Sequence, residues 1–365
     1  MARVLVIGIA VVDAVARPVD AFPAPGGLRL FDELSLTTGG CAINCAIALA
    51  KLGVGVDVVS RVGRDVLGDF VVSELSRAGA STSAIVRDVS RATSFSFVAV
   101  PTGGERSFLH TKGANAALCP ADVSEGTLAG KTLVFVTGVM LMDALDGEPA
   151  AGLLRDARAR GARTVLDTVY VEGLPREQWQ RRVTPSLKHL DYFIPSEAEA
   201  KELAGTGDMS QAARAFVRDG ARNVVIKLGA RGVLCLDESG RETTVPAFKV
   251  PQVVDTTGAG DCFAAGFLAG LLEGRPLPDA ARLGNAVAAL SVQALDPGVE
   301  RLGLNPLGEG LGAMDVRQVR GDRARLRVGV EPVDEARLDA GAHIDEGERI
   351  HRRGEPCGEA RGVLV

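Results

Sequence analysis

The residues best suited to chemistry lie in one short segment, 255–261, which reads Asp-Thr-Thr-Gly-Ala-Gly-Asp. Gly258 and Gly260 lack the side chains that would keep a ligand away from the backbone, and they permit a tight, left-handed turn. An apolar run over 262–272 follows and predicts a buried helix. The first N–H groups of such a helix have no intrahelical partners and point outward beside the positive end of the helix dipole. The backbone of Gly258, Ala259 and Gly260 is therefore predicted to form a pocket for a negatively charged group.

Asp261, the last residue of this segment, would stand at the mouth of that pocket. There its carboxylate can accept a proton from an attacking hydroxyl group. An anion pocket and a general base together supply most of what phosphoryl transfer requires of a protein. An ordinary strand, glycine turn and helix cap is the alternative interpretation of these residues taken alone.

A second glycine-rich motif lies near the amino terminus, where Gly39 and Gly40 precede Asn44. The glycine pair can bring the backbone close to a ligand, and Asn44 offers both a hydrogen-bond donor and an acceptor to a hydroxyl group. The alternative is a plain helix start with Asn44 as a local cap. The segment 126–132 nearly spells a phosphate-binding loop, but it has one residue too few between its glycines and precedes an apolar segment, so we interpret it as a surface turn.

The apolar patterning predicts an α/β fold, because strands alternate with helices along most of the chain. Predicted strands cover 3–9, 56–60, 133–137, 164–167, 191–194, 223–227, 233–236 and 242–246. Predicted helices cover 42–52, 68–79, 149–160, 197–204, 210–219, 261–273 and 278–294. This alternation is typical of a mainly parallel sheet covered on both faces. Short strands within 12–37, with apolar alternation at 28–36, and within 95–110 indicate a small, half-exposed sheet inserted into the main domain.

Composition excludes several classes of function. The net charge is −5 and basic residues do not cluster, so a nucleic-acid partner is not expected. No apolar run reaches the roughly 18 residues of a membrane span, and the first apolar run reads as a buried strand and not as a signal peptide, so a cytoplasmic location is expected. The six cysteines form no CxxC pair, which favours small buried side chains over disulfides or metal ligands.

The character of the chain changes after about residue 301. Residues 302–365 contain no Phe, Trp, Tyr or Lys and many Arg, Gly, Asp and Glu. We therefore predict one domain over 1–301 and a carboxy-terminal extension over 302–365 that is disordered or marginally folded.

The motifs occur together in an order that resembles the PfkB (ribokinase-like) carbohydrate kinases. Segment 255–261 matches the family signature DTxGAGD, and 39–53 resembles its GGxxxNxAxxLxxLG signature. Segments 61–68 and 104–108 are similar to the VGxDxxG turn and to the hairpin that ends in GERSF. The resemblance extends over about residues 3–300. It implies a three-layer α/β/α sandwich with a mainly parallel central sheet and a small β-sheet lid over a sugar.

The resemblance also assigns roles to single residues. It implies transfer of the γ-phosphoryl group of ATP to an alcohol, with Asp261 as the base. Acceptor-binding residues would be Asp13, Gly39, Gly40 and Asn44, and nucleotide-binding residues would be Lys227, Gly229, Gly232 and Asn285. Glu199 would help to hold Mg²⁺ through water, although Ser196 replaces the Asn of the family's NxxE motif. Asp255 and Thr257 match positions that hold a monovalent cation such as K⁺ in some members.

The acceptor is less well defined by the sequence. Cys41 stands where some members that use ribose or phosphorylated fructose carry Lys, which disfavours a phosphosugar. A free hexose, pentose or keto-sugar acid is the first expectation, and adenosine or another nucleoside is the alternative. A protein that binds a sugar without turning it over is a third interpretation, and a homodimer formed through the lid is expected.

Overall fold

The computed structural model describes residues 4–103 and 106–293 of the 365-residue chain. The predicted extension over 302–365 and the domain boundary at 301 lie outside these residues. In chain order the strands are β1 (Val4–Gly8), β2 (Val11–Arg17), β3 (Glu33–Gly39), β4 (Val56–Gly63), β5 (Ile85–Asp88), β6 (Phe95–Ala99), β7 (Ser107–Thr111), β8 (Leu133–Val139), β9 (Arg163–Thr168), β10 (Tyr192–Phe193), β11 (Asn223–Lys227), β12 (Val233–Leu236) and β13 (Glu242–Val245).

The helices alternate with the strands of the main sheet, as the sequence predicts. They are α1 (Cys41–Lys51), α2 (Val66–Arg77), α3 (Glu125–Leu128), α4 (Glu148–Ala159), α5 (Arg176–Leu187), α6 (Glu197–Ala204), α7 (Met209–Arg218), α8 (Ala259–Leu272) and α9 (Leu277–Ser291). The strands and helices predicted for the main domain are all present, with ends that differ by at most a few residues wherever the structure describes them. Helices α3 and α5 and strand β5 are additions that the patterning did not reveal.

The central sheet has the strand order β13-β12-β11-β10-β9-β8-β1-β4-β5. Neighbouring strands from β5 to β11 run parallel, and β12 and β13 extend the sheet antiparallel. Strands β1 and β8 are buried at every residue, which is typical of a parallel sheet covered on both faces. One apolar core lies against α1, α2, α8 and α9, and the other against α4 to α7. The predicted three-layer sandwich is therefore confirmed.

A separate four-stranded sheet, called the lid below, has the order β3-β2-β6-β7. Strand β2 pairs antiparallel with β3 and parallel with β6, so Asp13, Thr37 and Ser96 are direct neighbours on one face. The small sheet is thus confirmed, but the expected strand at 28–36 begins only at Glu33. Leu28 and Leu30 precede it as exposed coil, because their alternation has no partner strand to pair with.

Segment 126–132 forms the end of the short helix α3 and the approach to β8. Its lysine, Lys131, forms an ion pair with Asp57 near the start of β4. The segment therefore lies at the edge of the sheet where β1 and β8 begin, opposite to the edge where parallel sheets bind ligands. None of the helices in the described part of the chain combines the length and apolarity needed to cross a membrane.

Candidate active site

The turn at Gly258 is held in place by the helix that follows it. Gly258 has a left-handed backbone with φ 73° and is the N-cap of α8, and Asp261 lies in the first turn of that helix. Helix α8 is apolar on all sides and buried between α1 and α9. Gly266 allows the close contact with α9, since a Cβ there would lie 2.7 Å from the carbonyl oxygen of Leu283. Tight packing thus fixes the helix end, where backbone N–H groups can face a ligand. The N–H of Ala259 donates a hydrogen bond of 3.2 Å to the carbonyl of Thr256 in this structure.

Asp261 is hydrogen-bonded to the second glycine motif. Its Oδ2 accepts a hydrogen bond of 2.8 Å from Nδ2 of Asn44 in α1, and the thiol of Cys41 lies beside the same carboxylate. Burial raises the pKa of Asp261, while the bond from Asn44 and the charge of Lys227 act to lower it. Oδ1 of Asn44 is buried without a hydrogen-bond partner in the described structure. An acceptor atom is therefore left for a substrate hydroxyl group beside the predicted base.

Cys41 is a free thiol next to this aspartate. Burial and the charge of Asp261 raise its pKa well above the ordinary value, so the group stays protonated. Cys45, Cys119, Cys235 and Cys262 are also free, which agrees with the absence of paired cysteines in the sequence, and Cys357 lies outside the described residues.

Lys227 lies at the carboxyl end of β11 and reaches the same place. Its Nζ forms an ion pair of 2.6 Å with Oδ2 of Asp167 at the end of β9, and a Cβ built on Gly260 would lie 3.5 Å from it. Burial acts to lower the pKa of Lys227, but the charges of Asp167, Glu199 and Asp261 outweigh it and the pKa is raised. One ammonium group therefore stands among three carboxylates, directly beside the glycine turn. Asp167 was not assigned a role by the sequence.

The two glycines predicted to bind the acceptor, Gly39 and Gly40, lie where any side chain would collide with neighbouring residues. A Cβ on Gly39 would collide with the carboxylate of Asp13. Gly40 has φ 88° and forms the N-cap of α1, with the carbonyl of Ile9 2.6 Å from the position of a Cβ. Burial raises the pKa of Asp13 to about 6, although the hydroxyl of Ser96 and the charge of Arg106 act to lower it. These contacts hold Asp13 against the start of α1.

A cavity of about 640 Å³ lies between the lid and the glycine turn. Its walls include Asp13, Val15, Asn44, Arg106, Asp255 and Thr257. The cavity therefore joins the predicted acceptor residues to the first half of segment 255–261. Its volume is in the range of pockets that bind small molecules.

The residues predicted to bind the nucleotide surround the turn between β11 and β12. Gly229 has φ 60° and faces open space, whereas Gly232 has φ 91° and a Cβ there would collide with the carbonyl of Val245. Asn285 of α9 donates hydrogen bonds of 3.1 and 3.0 Å to the carbonyls of Val245 and Pro246. The structure thus brings Gly232 and Asn285 to the same stretch of backbone, and the amide nitrogen of Asn285 is used to hold it.

Glu199 and Ser196 form a reciprocal cap at the start of α6. Oε2 of Glu199 accepts hydrogen bonds from the backbone of Ser196 at 2.7 Å and from the hydroxyl of Thr168 at 2.8 Å. Oε1 remains for a water molecule, so the residue fits a hydrated Mg²⁺ but not a closed cage of protein ligands. In the described residues no group of three His, Cys, Asp or Glu side chains is arranged to hold a metal ion directly.

The sequence did not assign a role to Arg106, although the residue belongs to the hairpin motif quoted above. Its Nη2 lies 2.5 Å from Oδ2 of Asp255, and its Nη1 donates a hydrogen bond of 2.6 Å to Oγ1 of Thr257. The two partners lie 149 and 151 positions along the chain from Arg106, so no local spacing could have indicated the contact. Only the motif itself, with an Arg beside the turn of a hairpin, offered a signal.

Comparison with known proteins extends the resemblance over most of the chain. A model of the pfkB family carbohydrate kinases matches residues 1–299. The chain is 31% identical over 281 residues to the ribokinase of Haemophilus influenzae, and the match covers 75% of this chain and 87% of that one. It is also 31% identical over 277 residues to the 2-dehydro-3-deoxygluconokinase of Bacillus subtilis, with 74% and 85% covered.

Solved structures give the same result. The ribokinase of Thermotoga maritima has a TM-score of 0.70 and 27% identity, and the match covers 82% of this chain and 97% of that one. The ribokinase of Cryptococcus neoformans in complex with ADP has a TM-score of 0.65 and 25% identity, with 81% and 95% covered. With its signature turn, its lid and its three-layer core in place, the chain belongs to the pfkB family of carbohydrate kinases, which are phosphotransferases.

Proposed function

We propose that the protein transfers the γ-phosphoryl group of ATP to a hydroxyl group of a small sugar held beneath the lid. The observation that carries this proposal is the 2.8 Å hydrogen bond between Asn44 and Asp261, residues 217 positions apart. It joins the motif assigned to the acceptor with the motif assigned to the base. The ADP complex of the Cryptococcus ribokinase supports ATP as the donor.

The acceptor would be oriented by Asp13 and by the unpaired Oδ1 of Asn44, so that one hydroxyl group faces Asp261. Asp261 takes the proton of that hydroxyl group while the hydroxyl oxygen bonds to the γ-phosphorus of ATP. The bond between that phosphorus and ADP breaks, and ADP leaves. The N–H groups of Gly258 and Gly260 stabilise the charge on the transferring group, and that of Ala259 does so when the group replaces the carbonyl of Thr256 as its partner. Each good donor contributes about 3–4 kcal/mol in comparable sites.

Lys227 and Glu199 complete the charge arrangement around the phosphoryl group. The ammonium group of Lys227 is held beside Gly260 by Asp167, and we assign it to the phosphates. Bound Mg²⁺ would neutralise phosphate charge, and Oε1 of Glu199 would hold one of its waters. Gly229 and Gly232 would let the nucleotide approach the backbone after β11, and Asn285 would support that wall.

A free sugar is the first candidate for the acceptor, because the innermost row of the lid is polar. This row crosses all four strands and contains Thr37, Asp13, Ser96 and His110. Ser96 and His110 are 3.1 Å apart, so the row is a connected set of donors and acceptors suited to hydroxyl groups. Cys41 adds no charge that would favour a phosphosugar.

A nucleoside is the second candidate, and it is favoured by the next row of the lid. This row contains Ser35, Val15, Val98 and Phe108. An apolar surface with one aromatic ring, directly beyond a polar row, would suit a flat base attached to a ribose. Phe108 is 53% exposed, so its ring is available to such a ligand.

Turnover across a panel of acceptors decides between these functions. Hexoses, pentoses, keto-sugar acids and nucleosides would each be incubated with ATP and Mg²⁺, and product would be detected by mass. A sugar product supports the first candidate and a nucleoside product the second. Acceptor binding without product in every case would support the third interpretation, a sugar-binding protein without turnover.

Asn44→Ala should reduce both acceptor affinity and turnover. The side chain is assigned to the acceptor, which predicts a higher KM for the sugar. Loss of its hydrogen bond to Asp261 has a second effect, because the base is no longer held in a fixed orientation. As a result, kcat should fall by about tenfold or more. ATP affinity should stay nearly unchanged. Steady-state kinetics with each substrate varied would measure this, and a loss confined to ATP affinity would place Asn44 on the nucleotide side.

A homodimer formed through the lid is a further part of the proposal. The face of the lid opposite Asp13 carries Leu34, Leu36 and Leu109, which are 50–60% exposed. Exposed apolar side chains on one side of a sheet are typical of an interaction surface. Leu36→Glu should therefore shift the sedimentation coefficient from that of a dimer towards that of a monomer. A monomeric wild-type protein would contradict the assignment.

A further inference from the structure

The tip of the lid is joined to the anion-binding segment by one side chain. Arg106 immediately precedes β7, and its guanidinium group reaches both Asp255 and Thr257. The side chain of Asp255 is 4% exposed and that of Arg106 is 16% exposed, so this is a nearly buried ion pair. It is the kind of contact in which removal of one partner leaves a costly unpaired charge.

The same two residues are those that the family resemblance assigns to a monovalent cation. In this structure their side-chain oxygens all have other partners. Oδ2 of Asp255 and Oγ1 of Thr257 are bonded to Arg106, and Oδ1 of Asp255 accepts a hydrogen bond of 2.8 Å from the N–H of Thr257. The side-chain oxygens of Asp255 and Thr257 therefore do not fit a bound K⁺, because each of them already faces a proton donor.

The backbone of the segment is anchored on its other side. The carbonyl of Val292, at the end of α9, accepts hydrogen bonds of 2.7 and 3.2 Å from the N–H groups of Val254 and Asp255. The carboxylate of Asp255 thus faces the lid from a fixed backbone. A guanidinium group supplies one positive charge and two parallel donors, which suits a carboxylate and a neighbouring hydroxyl better than a spherical ion does.

We propose that Arg106 is the built-in cation of the anion-binding segment, so that the protein needs no added monovalent cation. The guanidinium group fixes Asp255 and Thr257, and through them the start of the glycine turn. Because Arg106 immediately precedes lid strand β7, this contact ties the start of the glycine turn to the lid. The effect on turnover rests on the proposed kinase function, whereas the effect on the segment itself does not.

The first experiment needs no substrate. Thermal midpoints and hydrogen exchange of residues 254–258 would be measured in KCl and in choline chloride at equal ionic strength. We expect the wild-type protein to have the same thermal midpoint and the same exchange rates in both salts. Arg106→Gln should lower the midpoint and speed exchange of the Thr257 amide, and Arg106→Lys should retain part of the protection because it keeps the charge. Arg155→Gln removes an exposed arginine of α4 and serves as the matched control.

The second experiment follows turnover of whichever acceptor the panel identifies. Wild-type kcat should change less than about twofold when choline replaces K⁺. Arg106→Gln should lower kcat/KM by about 10²-fold, the order expected when a catalytic turn is misplaced. A wild-type thermal midpoint that rises by several degrees with K⁺, or a wild-type kcat that rises several-fold, would overturn the proposal. Hydrogen exchange at the wild-type rate in Arg106→Gln would also overturn it. If no acceptor is found, the proposed function fails but the exchange data still decide this inference.

Discussion

Asp261→Asn should lower kcat by about 10²–10⁴-fold, the range typical for loss of a general base. The amide keeps the shape of the carboxylate but cannot take the proton of the acceptor. Binding of sugar and ATP should change much less, because Asp13, Asn44 and the glycine backbone are left in place. A coupled assay would give kcat, and calorimetry would give both affinities. Near-native turnover would show that the proposed mechanism is wrong.

Asp279→Asn is a matched control for that substitution. Asp279 is also an acidic residue in the first turn of a helix, α9, but it lies at the surface. The variant therefore removes the same charge from a similar helix position without touching the cavity. It should keep native kcat. The wild-type pH profile offers a second check: burial raises the pKa of Asp261, so the acid limb of kcat should lie above the ordinary aspartate value.

The fold could be predicted largely from sequence because its central elements are strongly patterned. Strand β8 and helix α8 are continuous apolar runs of different length, and length alone separates strand from helix. Helix α5 was missed because it is mostly polar and contains Pro185. Its buried residues Trp179, Val183 and Leu187 nevertheless repeat every four positions, which is the spacing of one face of a helix.

The candidate site was predictable only in its local parts. The glycine turn and the acidic residue beside it are read directly from consecutive positions. The contacts of Asp167 with Lys227 and of Arg106 with Asp255 join residues on different strands and loops, and spacing along the chain carries no information about them. Asn44 shows the same limit, because its bond to Asp261 gives it a contact with the base that its own motif could not indicate.

Lys227→Met should have the second largest effect, on both stability and turnover. The substitution leaves Asp167 buried without its ion-pair partner, and such a loss typically costs about 3–5 kcal/mol of unfolding free energy. Turnover should fall by about 10²-fold, because the ammonium group beside Gly260 no longer faces the phosphates. Denaturant unfolding and steady-state kinetics would measure the two effects. Lys131→Met, which breaks the ion pair with Asp57 away from the cavity, should reduce stability only.

The pH dependence of this variant has a definite sign. Without the ammonium group the pKa of Asp167 rises further above its value in the unfolded chain, so the native state binds the extra proton more tightly. The unfolding free energy of the variant should therefore be closest to that of the wild type at low pH. Its deficit relative to the wild type should grow as the pH rises through neutrality. A deficit that shrinks with rising pH would mean that Asp167 is not the group left unpaired.

Combining Lys227→Met with Asp167→Asn separates the structural contribution of the ion pair from its chemical one. The double variant contains no unpaired charge at this position, so it should recover most of the stability lost by Lys227→Met alone. It should not recover turnover, because the positive charge beside Gly260 is still missing. If kcat returned together with stability, Lys227 would serve only to neutralise Asp167, and the phosphates would have to be held by the glycine backbone and the metal alone.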